Sequence, residues 1–536
     1  MVTSDQYLDT ILEKVGHFGK YQRFVVALFS IAIIINSAAF ITFVFTTKDL
    51  NYRCQVPYCE KTPEYNPSWL QNAILITEDR PAKCERFAHL NTTGCNYSSF
   101  NRSIVEICDD YVYETKEITI VQDFNLHCDE NVWKLTLIGT LNGIGQFIGL
   151  PIAGYVSDRY GRLTMLVCGM VLAGICGIIR SFTTTYVLFG IFEFLDSLFG
   201  AGAYTCGYIL GVELVGPKKR VLTGILICCS YALGGVLTGA IAWSVQSWRF
   251  YLRIVCGSSV AIIFYYWIAP ESVRWMLIKK KYEPVKKTLR KVAEVNGKPI
   301  SERTLEELCS ITETIETKYP ITDLFKSWIL VLRFINCSFC WITCVFVFYG
   351  LTVNSVALSD NSYLDFILTS LVEIPGYALT YILVDKVGRR IGISSSLILT
   401  SICCVVFVFI PPELYWLKLS TYLLGKFAAT GAFSICYIIT TEIFPTCLRH
   451  SLMASCSMFG RIGSSIAPQM PLLELFWKPL PLILFGVMSA ISGVLALHFP
   501  ETSNIKLPDT IQEAEEIGNP KNKMFNKYDC KCNLML

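Results

Sequence analysis

The chain has 536 residues, a mean hydropathy of +0.46 and only 17% charged residues, a balance too apolar for a soluble globular protein and suited to a bilayer. A formal net charge of +3 gives no reason to expect a nucleic-acid partner. Neither a His-Glu-x-x-His helix nor a Gly-x-x-x-x-Gly-Lys-Ser/Thr loop occurs, so no catalytic residue, metal site or ATP-driven step is expected.

In chain order, apolar runs fall at 22–45, 135–156, 163–181, 186–211, 221–243, 250–269, 326–351, 362–384, 391–410, 415–441, 451–474 and 478–499. Each is long enough to cross about 30 Å of hydrocarbon as a helix. None shows the ten-residue alternation of a lipid-facing barrel, so the expected fold is an all-α membrane protein of twelve transmembrane helices. The run at 22–45 follows a polar start and lacks a small-residue cleavage site, so it reads as a retained span.

The basic residues fix an expected orientation. Arg159 and Arg162, Lys218 to Arg220, the 274–326 stretch, Lys386, Arg389 and Arg390, and Arg449 fall in alternate loops, whereas 182–185 and 352–361 carry no Lys or Arg. The basic loops and both termini are therefore expected in the cytosol of a multi-pass plasma-membrane protein.

Most of the 23 cysteines lie in apolar spans, where they behave as small hydrophobes. Segment 46–134 differs. It is polar and holds Cys54, Cys59, Cys84, Cys95, Cys108 and Cys128 with the sequons at Asn91, Asn96 and Asn101, so it is expected to be an extracellular, glycosylated cap with up to three disulfides. Six cysteines allow fifteen pairings, and the spacing selects none of them.

Six spans precede a charged segment and six follow it. The expected organisation is a cytosolic N-terminus (1–21), a first six-helix half with its cap (22–269), a cytosolic linker (270–325), a second half (326–499) and a cytosolic tail (500–536). Apolar positions Val285, Leu289, Val292, Val295, Leu305, Leu308, Ile311 and Ile315 recur at helical spacing among Lys and Glu, which predicts short amphipathic helices in the linker. The tail is polar and expected to be mostly disordered, with Cys530 and Cys532 a free pair.

Each half also carries an Asp-basic-x-Gly-Arg turn after its second span, Asp158-Arg159-Tyr-Gly161-Arg162 and Asp385-Lys386-Val-Gly388-Arg389-Arg390. A carboxylate at a helix end can pair with basic side chains and with the positive start of a neighbouring helix, so these turns suit a latch that forms and breaks.

Taken together, the cysteine-rich first loop, Gly154 to Arg162, Glu213-Leu-Val-Gly216-Pro217, Trp248-Arg249, Pro270-Glu271-Ser272-Val-Arg274-Trp275, Tyr349-Gly350-Leu351, Glu442-Ile-Phe-Pro445-Thr446 with Arg449, and Pro500-Glu501-Thr502 resemble the major facilitator superfamily. Within it they resemble the organic cation, anion and carnitine transporters of the solute carrier 22 type. Val273 departs from that pattern, which usually has Pro there. The resemblance implies two six-helix halves, alternating access, a small organic ion as substrate, and Asp158, Arg159, Arg162, Glu213, Glu271, Arg274, Asp385, Arg389, Arg390, Glu442 and Arg449 as gating residues. It leaves Na⁺ or proton coupling and the oligomeric state open.

Charges inside spans are costly and mark pathways or internal pairs. Glu193 and Asp196, Glu373, Lys426 and Arg461 fall there. By the resemblance, Arg461 stands where organic-anion and carnitine members place Arg and cation members an acid; its planar fork suits a carboxylate. Glu373 is expected to attract a cationic head group, to couple an ion, or to pair with Arg461. Tyr204, Trp243, Tyr349, Phe433 and Tyr437 are candidate walls for a quaternary ammonium group, and Asn36, Gln146 and Lys426 are further candidate lining residues. The favoured reading is a secondary transporter of carnitine-type zwitterions or cations. The alternatives are an organic-anion exchanger using Arg461 alone and a non-transporting receptor on the same fold.

Overall fold

The structure, a computed structural model, describes residues 4–517 except 58, 61–63, 78–79, 91–93, 313–326, 360, 412, 446–447, 504, 506–507 and 509. Asn91, Ile315, Cys530 and Cys532 lie outside the described residues.

Twelve helical spans follow one another. The first six are Lys20–Phe40, Val132–Tyr160, Arg162–Arg180, Tyr186–Gly200 with Ala203–Glu213, Arg220–Val245, and Trp248–Val260 with its continuation to Ile268. The second six are Trp328–Asn354, Ser362–Leu371 with Glu373–Val387, Arg389–Phe409, Tyr415–Ile443, Arg449–Ile466 and Leu480–Ala496. Among the described residues, nine helices are long and apolar enough to cross a bilayer, and Leu480–Ala496 is a shorter apolar one. The remaining two are the eighth span, split at Val372, and the eleventh, which carries Arg461.

Both interruptions have local causes. The fourth span breaks where Gly200-Ala201-Gly202 weakens the helix, and the eighth where Pro375 can give no N–H to the preceding turn. Both lie mid-span, where broken helices commonly line binding sites.

Each half keeps its own core. One apolar cluster joins the first, third and fourth spans to Leu8, Ile11, Leu12 and Val15 of helix Ser4–Val15 and to Val285, Leu289, Val292, Leu305 and Leu308. The last five belong to helices Tyr282–Asn296 and Glu302–Thr312, the amphipathic helices expected there; Val295, expected on the same face, is exposed. A second cluster joins the seventh, ninth and tenth spans. The tail, expected to be mostly disordered, contains a helix, Ile511–Glu516, that buries Ala514, and Arg333 donates to the Ala514 and Ile517 carbonyls.

The cap contains three two-stranded antiparallel sheets and the disulfides Cys54–Cys108, Cys59–Cys95 and Cys84–Cys128. Arg53 is buried at its centre, donating to Glu60 at 2.6 Å and to the Tyr65 carbonyl at 2.8 Å, so its charge is paired rather than stranded. Asn96 is exposed, and Asn101 lies half-buried on strand Phe100–Ile107.

Candidate functional site

Between the halves lies a cavity of ≈ 60 Å³, closed around by aromatic rings. The first half contributes Asn36 and Phe40 from span one, Gln146 from span two, Gly200, Ala201 and Tyr204 around the break in span four, and Tyr231 from span five. The second half contributes Phe348 and Tyr349, Tyr377, Phe433 and Tyr437, and Arg461. Phe348 and Phe433 stack with centroids 5.4 Å apart, Phe433 meets Tyr437 edge-on at 5.2 Å, and the Tyr231 and Tyr349 hydroxyls stand 3.2 Å apart across the interface of the halves.

Arg461 is the one charged residue of this lining. Its Nη1 donates to Gln146 Oε1 at 2.8 Å, and it forms no ion pair among the described residues. A guanidinium has five N–H donors. Most of this donor capacity therefore remains for something that enters the cavity.

Three expectations need correction. Trp243, taken as a cavity wall, is 44% exposed and stacks on Tyr363 toward the cap, because its helix turns that face away from the cavity. Lys426, taken as lining, is fully buried behind Phe348, its Nζ 3.3 Å from the ring centroid and bonded to the Phe348 carbonyl and Thr352 Oγ1. Glu373 does not pair with Arg461; it pairs with Lys426 at 2.9 Å. Burial leaves each of these charges little but the other, and the Phe348 ring lies against the ammonium. Phe40, Tyr231, Phe348 and Tyr377, not foreseen, complete the box. Only their mid-span position on pathway helices signalled them, and that position is shared by many packing aromatics.

A chain of hydrogen bonds leaves the cavity through Gln146. Its Nε2 donates to Asn142 Oδ1 at 2.7 Å, Asn142 Nδ2 donates to Glu193 Oε1 at 2.7 Å, and Glu193 pairs with the buried Arg180. Arg180 also faces Asp196 at 3.4 Å and Thr42 at 3.0 Å. Arg461 in one half is thus wired to two buried charges in the other, Glu193 and Arg180, and through them to the partly buried Asp196.

The halves meet closely toward the cap. A methyl group at Gly143 would stand 2.6 Å from Ser465 Cα, one at Gly139 2.5 Å from Pro468, and one at Gly235 2.8 Å from Ser370 Oγ. Thr140 donates to the Ser465 carbonyl at 3.0 Å and receives Gln469 Nε2 at 2.6 Å. Glycine is what permits this approach, and helices so packed leave no passage between them.

On the basic-loop side the two halves repeat one arrangement. Gly161 and Gly388 both take positive φ, +116° and +91°, and a carboxylate from beyond the last span of the half caps the helix that follows. Glu271 accepts from the Arg162 and Leu163 amides at 3.1 and 3.2 Å, and Glu501 from those of Arg389 and Arg390 at 2.9 and 3.1 Å. Asp158 and Asp385, expected at these helix starts, instead pair one turn ahead with Arg162 and Arg389 at 3.1 and 3.0 Å and stay largely exposed. The parallel continues: Ser272 donates to Glu213 and Thr502 to Glu442, which also receives Arg389 at 3.2 Å. Arg159 donates to the Tyr155 hydroxyl, Arg274 to Asp9, and Arg449 to the Phe444 carbonyl. Glu501, the counterpart of Glu271, was legible only as part of Pro500-Glu501-Thr502.

Comparison with known proteins agrees with this architecture. Residues 116–468 match the family model of the Major Facilitator Superfamily. The chain superposes on the xylose transporter XylE from E. coli in a partially occluded inward open conformation, with a TM-score of 0.62 at 15% identity over 91% of this chain and 100% of that one. It is 31% identical over 531 residues to solute carrier family 22 member 3 of Rattus norvegicus, covering 95% of this chain and 96% of the relative. It is 30% identical over 541 residues to solute carrier family 22 member 2 of Homo sapiens, covering 96% of each. An organic cation transporter-like protein of Drosophila melanogaster is 29% identical over 95% of this chain and 93% of its own length. With twelve spans in two repeated halves around a central cavity, the chain belongs to the major facilitator superfamily and, within it, to solute carrier family 22, as a multi-pass secondary transporter.

Proposed function

We propose that this carrier moves small organic ions bearing a carboxylate across the plasma membrane, zwitterions of the carnitine type first among them, by alternating access. The observation that supports this is Arg461: a guanidinium with one amide partner, set in a box of eight aromatic rings. A carboxylate would take its fork in a bidentate pair, and a quaternary ammonium on the same molecule would lie against ring faces, each worth about 0.5–2 kcal/mol when desolvated. The cavity is too small to admit such a molecule as it stands, so binding requires the halves to move.

In this reading Arg461, Gln146, Asn36, Tyr204, Tyr349, Phe433 and Tyr437 contact substrate, with Tyr231, Tyr377, Phe40 and Phe348 added to them, while Glu373 and Lys426 brace the wall. Asp158 and Asp385, exposed at the two repeated turns, serve gating, beside helices that Glu271 and Glu501 cap. The cap faces outward, carrying glycans at Asn96 and Asn101, and the basic loops and termini face the cytosol.

One observation favours a second reading, an organic-anion exchanger. Lys426 already neutralises Glu373, so no free acid lines the cavity among the described residues. The name of the Drosophila melanogaster relative points to organic cations, which a lone Arg461 would repel. Initial-rate uptake of carnitine, tetraethylammonium and an aryl carboxylate by cells expressing the chain separates the readings. Fastest uptake of carnitine is expected; fastest uptake of the aryl carboxylate selects the exchanger, and of tetraethylammonium overturns both.

A further inference from the structure

A second, smaller cavity of ≈ 30 Å³ lies in the first half beside the aromatic box, and Asn36, Phe40 and Gly200 line both. Its other polar lining is Asn142, Asp196, Ser197 and Ser259. Two features of this pocket are unexplained by packing.

The first is charge. Arg180, fully buried, faces two carboxylates, Glu193 and Asp196, so the three carry a net charge of −1. Other titratable groups near Asp196 are the thiols of Cys176 and Cys256, and spans one and two contribute neutral Asn36 and Asn142. An uncompensated charge inside a span costs several kcal/mol. The second is Ser259. It is 2% exposed, and its Oγ has no hydrogen-bond partner among the described residues.

The two features converge on one helix face. A methyl group at Gly174 of span three would stand 3.1 Å from Ser259 Cβ, and one at Gly177 would stand 3.3 Å from Asp196 Oδ2. Positions i and i+3 of a helix are neighbours, about 5–6 Å apart, so the orphaned hydroxyl and the carboxylate flank the same pocket.

We propose that this pocket binds one small monovalent metal cation, Na⁺, held by Asp196 and Ser259 with the side-chain oxygens of Asn36, Asn142 and Ser197 in reach. The donors are oxygens, which suit a hard cation. A single positive charge cancels the net −1, and Ser259 gains the partner it lacks. A cavity of this size holds about one water-sized occupant. Asn142 belongs both to the pocket and to the hydrogen-bond chain reaching Arg461 through Gln146, so occupancy bears directly on the residue that reads the substrate.

The proposal deepens the carrier reading, but its test needs no substrate. Thermal unfolding of the purified full-length protein is followed at pH 7.4 in NaCl against N-methyl-D-glucamine chloride at equal ionic strength, and again in N-methyl-D-glucamine chloride across pH 5.5–8. Na⁺ is expected to raise Tm by about 3 °C at ten times its half-saturating concentration. Asp196→Asn is expected to lose the response, and Ser259→Ala, which keeps every charge and folds if Asp196→Asn does not, to raise the half-saturating Na⁺ roughly tenfold. No Na⁺ response in wild type, or an unchanged half-saturating concentration in Ser259→Ala, overturns the site. A pH response without a Na⁺ response replaces the metal ion by a proton and equally overturns it. A Na⁺ response with no uptake of any organic ion keeps the site and defeats the carrier reading instead.

Discussion

Removing Lys426 tests whether the Glu373–Lys426 pair is a brace. The ammonium makes an ion pair at 2.9 Å and two hydrogen bonds, to Thr352 at 2.7 Å and the Phe348 carbonyl at 3.0 Å, all with no solvent exposure. Lys426→Met keeps the stem's volume but strands a carboxylate that is 4% exposed. Breaking a buried pair from one side costs about 3–5 kcal/mol, which at roughly 2 °C per kcal/mol lowers Tm by about 6–10 °C. Adding Glu373→Gln removes the stranded charge, so the double variant is expected to recover most of the loss. The assay is thermal unfolding of the detergent-solubilised chain, paired with carnitine uptake corrected for surface expression. If the double variant is no more stable than Lys426→Met alone, the two charges are not coupled and the brace is wrong. If it is stable but has lost carnitine uptake while keeping the aryl carboxylate, Glu373 meets the ammonium after all.

Arg461→Asp is expected to abolish carnitine uptake and to permit some tetraethylammonium uptake; an unchanged ranking in the three-substrate panel would make Arg461 structural. Gly143→Val drives a branched side chain into the Ser465 backbone, so maximal uptake is expected to fall at least tenfold at near-normal surface expression, and a wild-type rate refutes closure at that contact. In the cap, burial lowers the His127 pKa below its usual value near 6.5, with the ring stacked on Tyr111 at 4.0 Å and bonded to the Tyr113 hydroxyl at 2.6 Å. The unfolded cap therefore binds the proton more readily, so stability falls as pH drops through and below 6.5; Tm measured from pH 7.5 to 5 is expected to decline, and less steeply in His127→Gln.

The spans were legible because hydrocarbon imposes one rule, some twenty apolar residues with internal hydrogen bonds, and among the described residues nine of the twelve satisfy it as single long apolar helices. The eighth shows how far the rule bends: Pro375 splits it, yet its total apolar length survives. Arg461, Gln146, Asn36 and Tyr204 were legible as polar or aromatic groups on spans assigned to the pathway by resemblance. Trp243 was not separable from them, since a one-dimensional reading names the helix but not the face. Partner choice was harder still. Glu373 had two basic residues within reach of argument, Arg461 and Lys426, and only three-dimensional packing puts Lys426 against it, with the Phe348 ring on the ammonium.

The repeated caps give the gating argument a physical basis that the repeated motif alone did not. Glu271 and Glu501 each satisfy orphan amides at the start of the third helix of their half, positions where a carboxylate also meets the positive end of a helix dipole. Asp158 and Asp385 stay 74% and 69% exposed, each holding one arginine of its own half. In this conformation neither aspartate reaches across to the other half, and the close inter-half contacts lie toward the cap instead. If the same turns close against each other when the cap side opens, the exposed aspartates are the groups with acceptor capacity to spare, whereas Glu271 and Glu501 are already committed to the helices they cap. Asp158→Asn should then lower maximal uptake while leaving Tm near wild type, and Glu271→Gln should lower Tm as well, because it weakens three amide bonds that hold the half together. Equal Tm losses in the two variants would show that the aspartates, too, are fixed structural caps, and the division between latch and brace would fail.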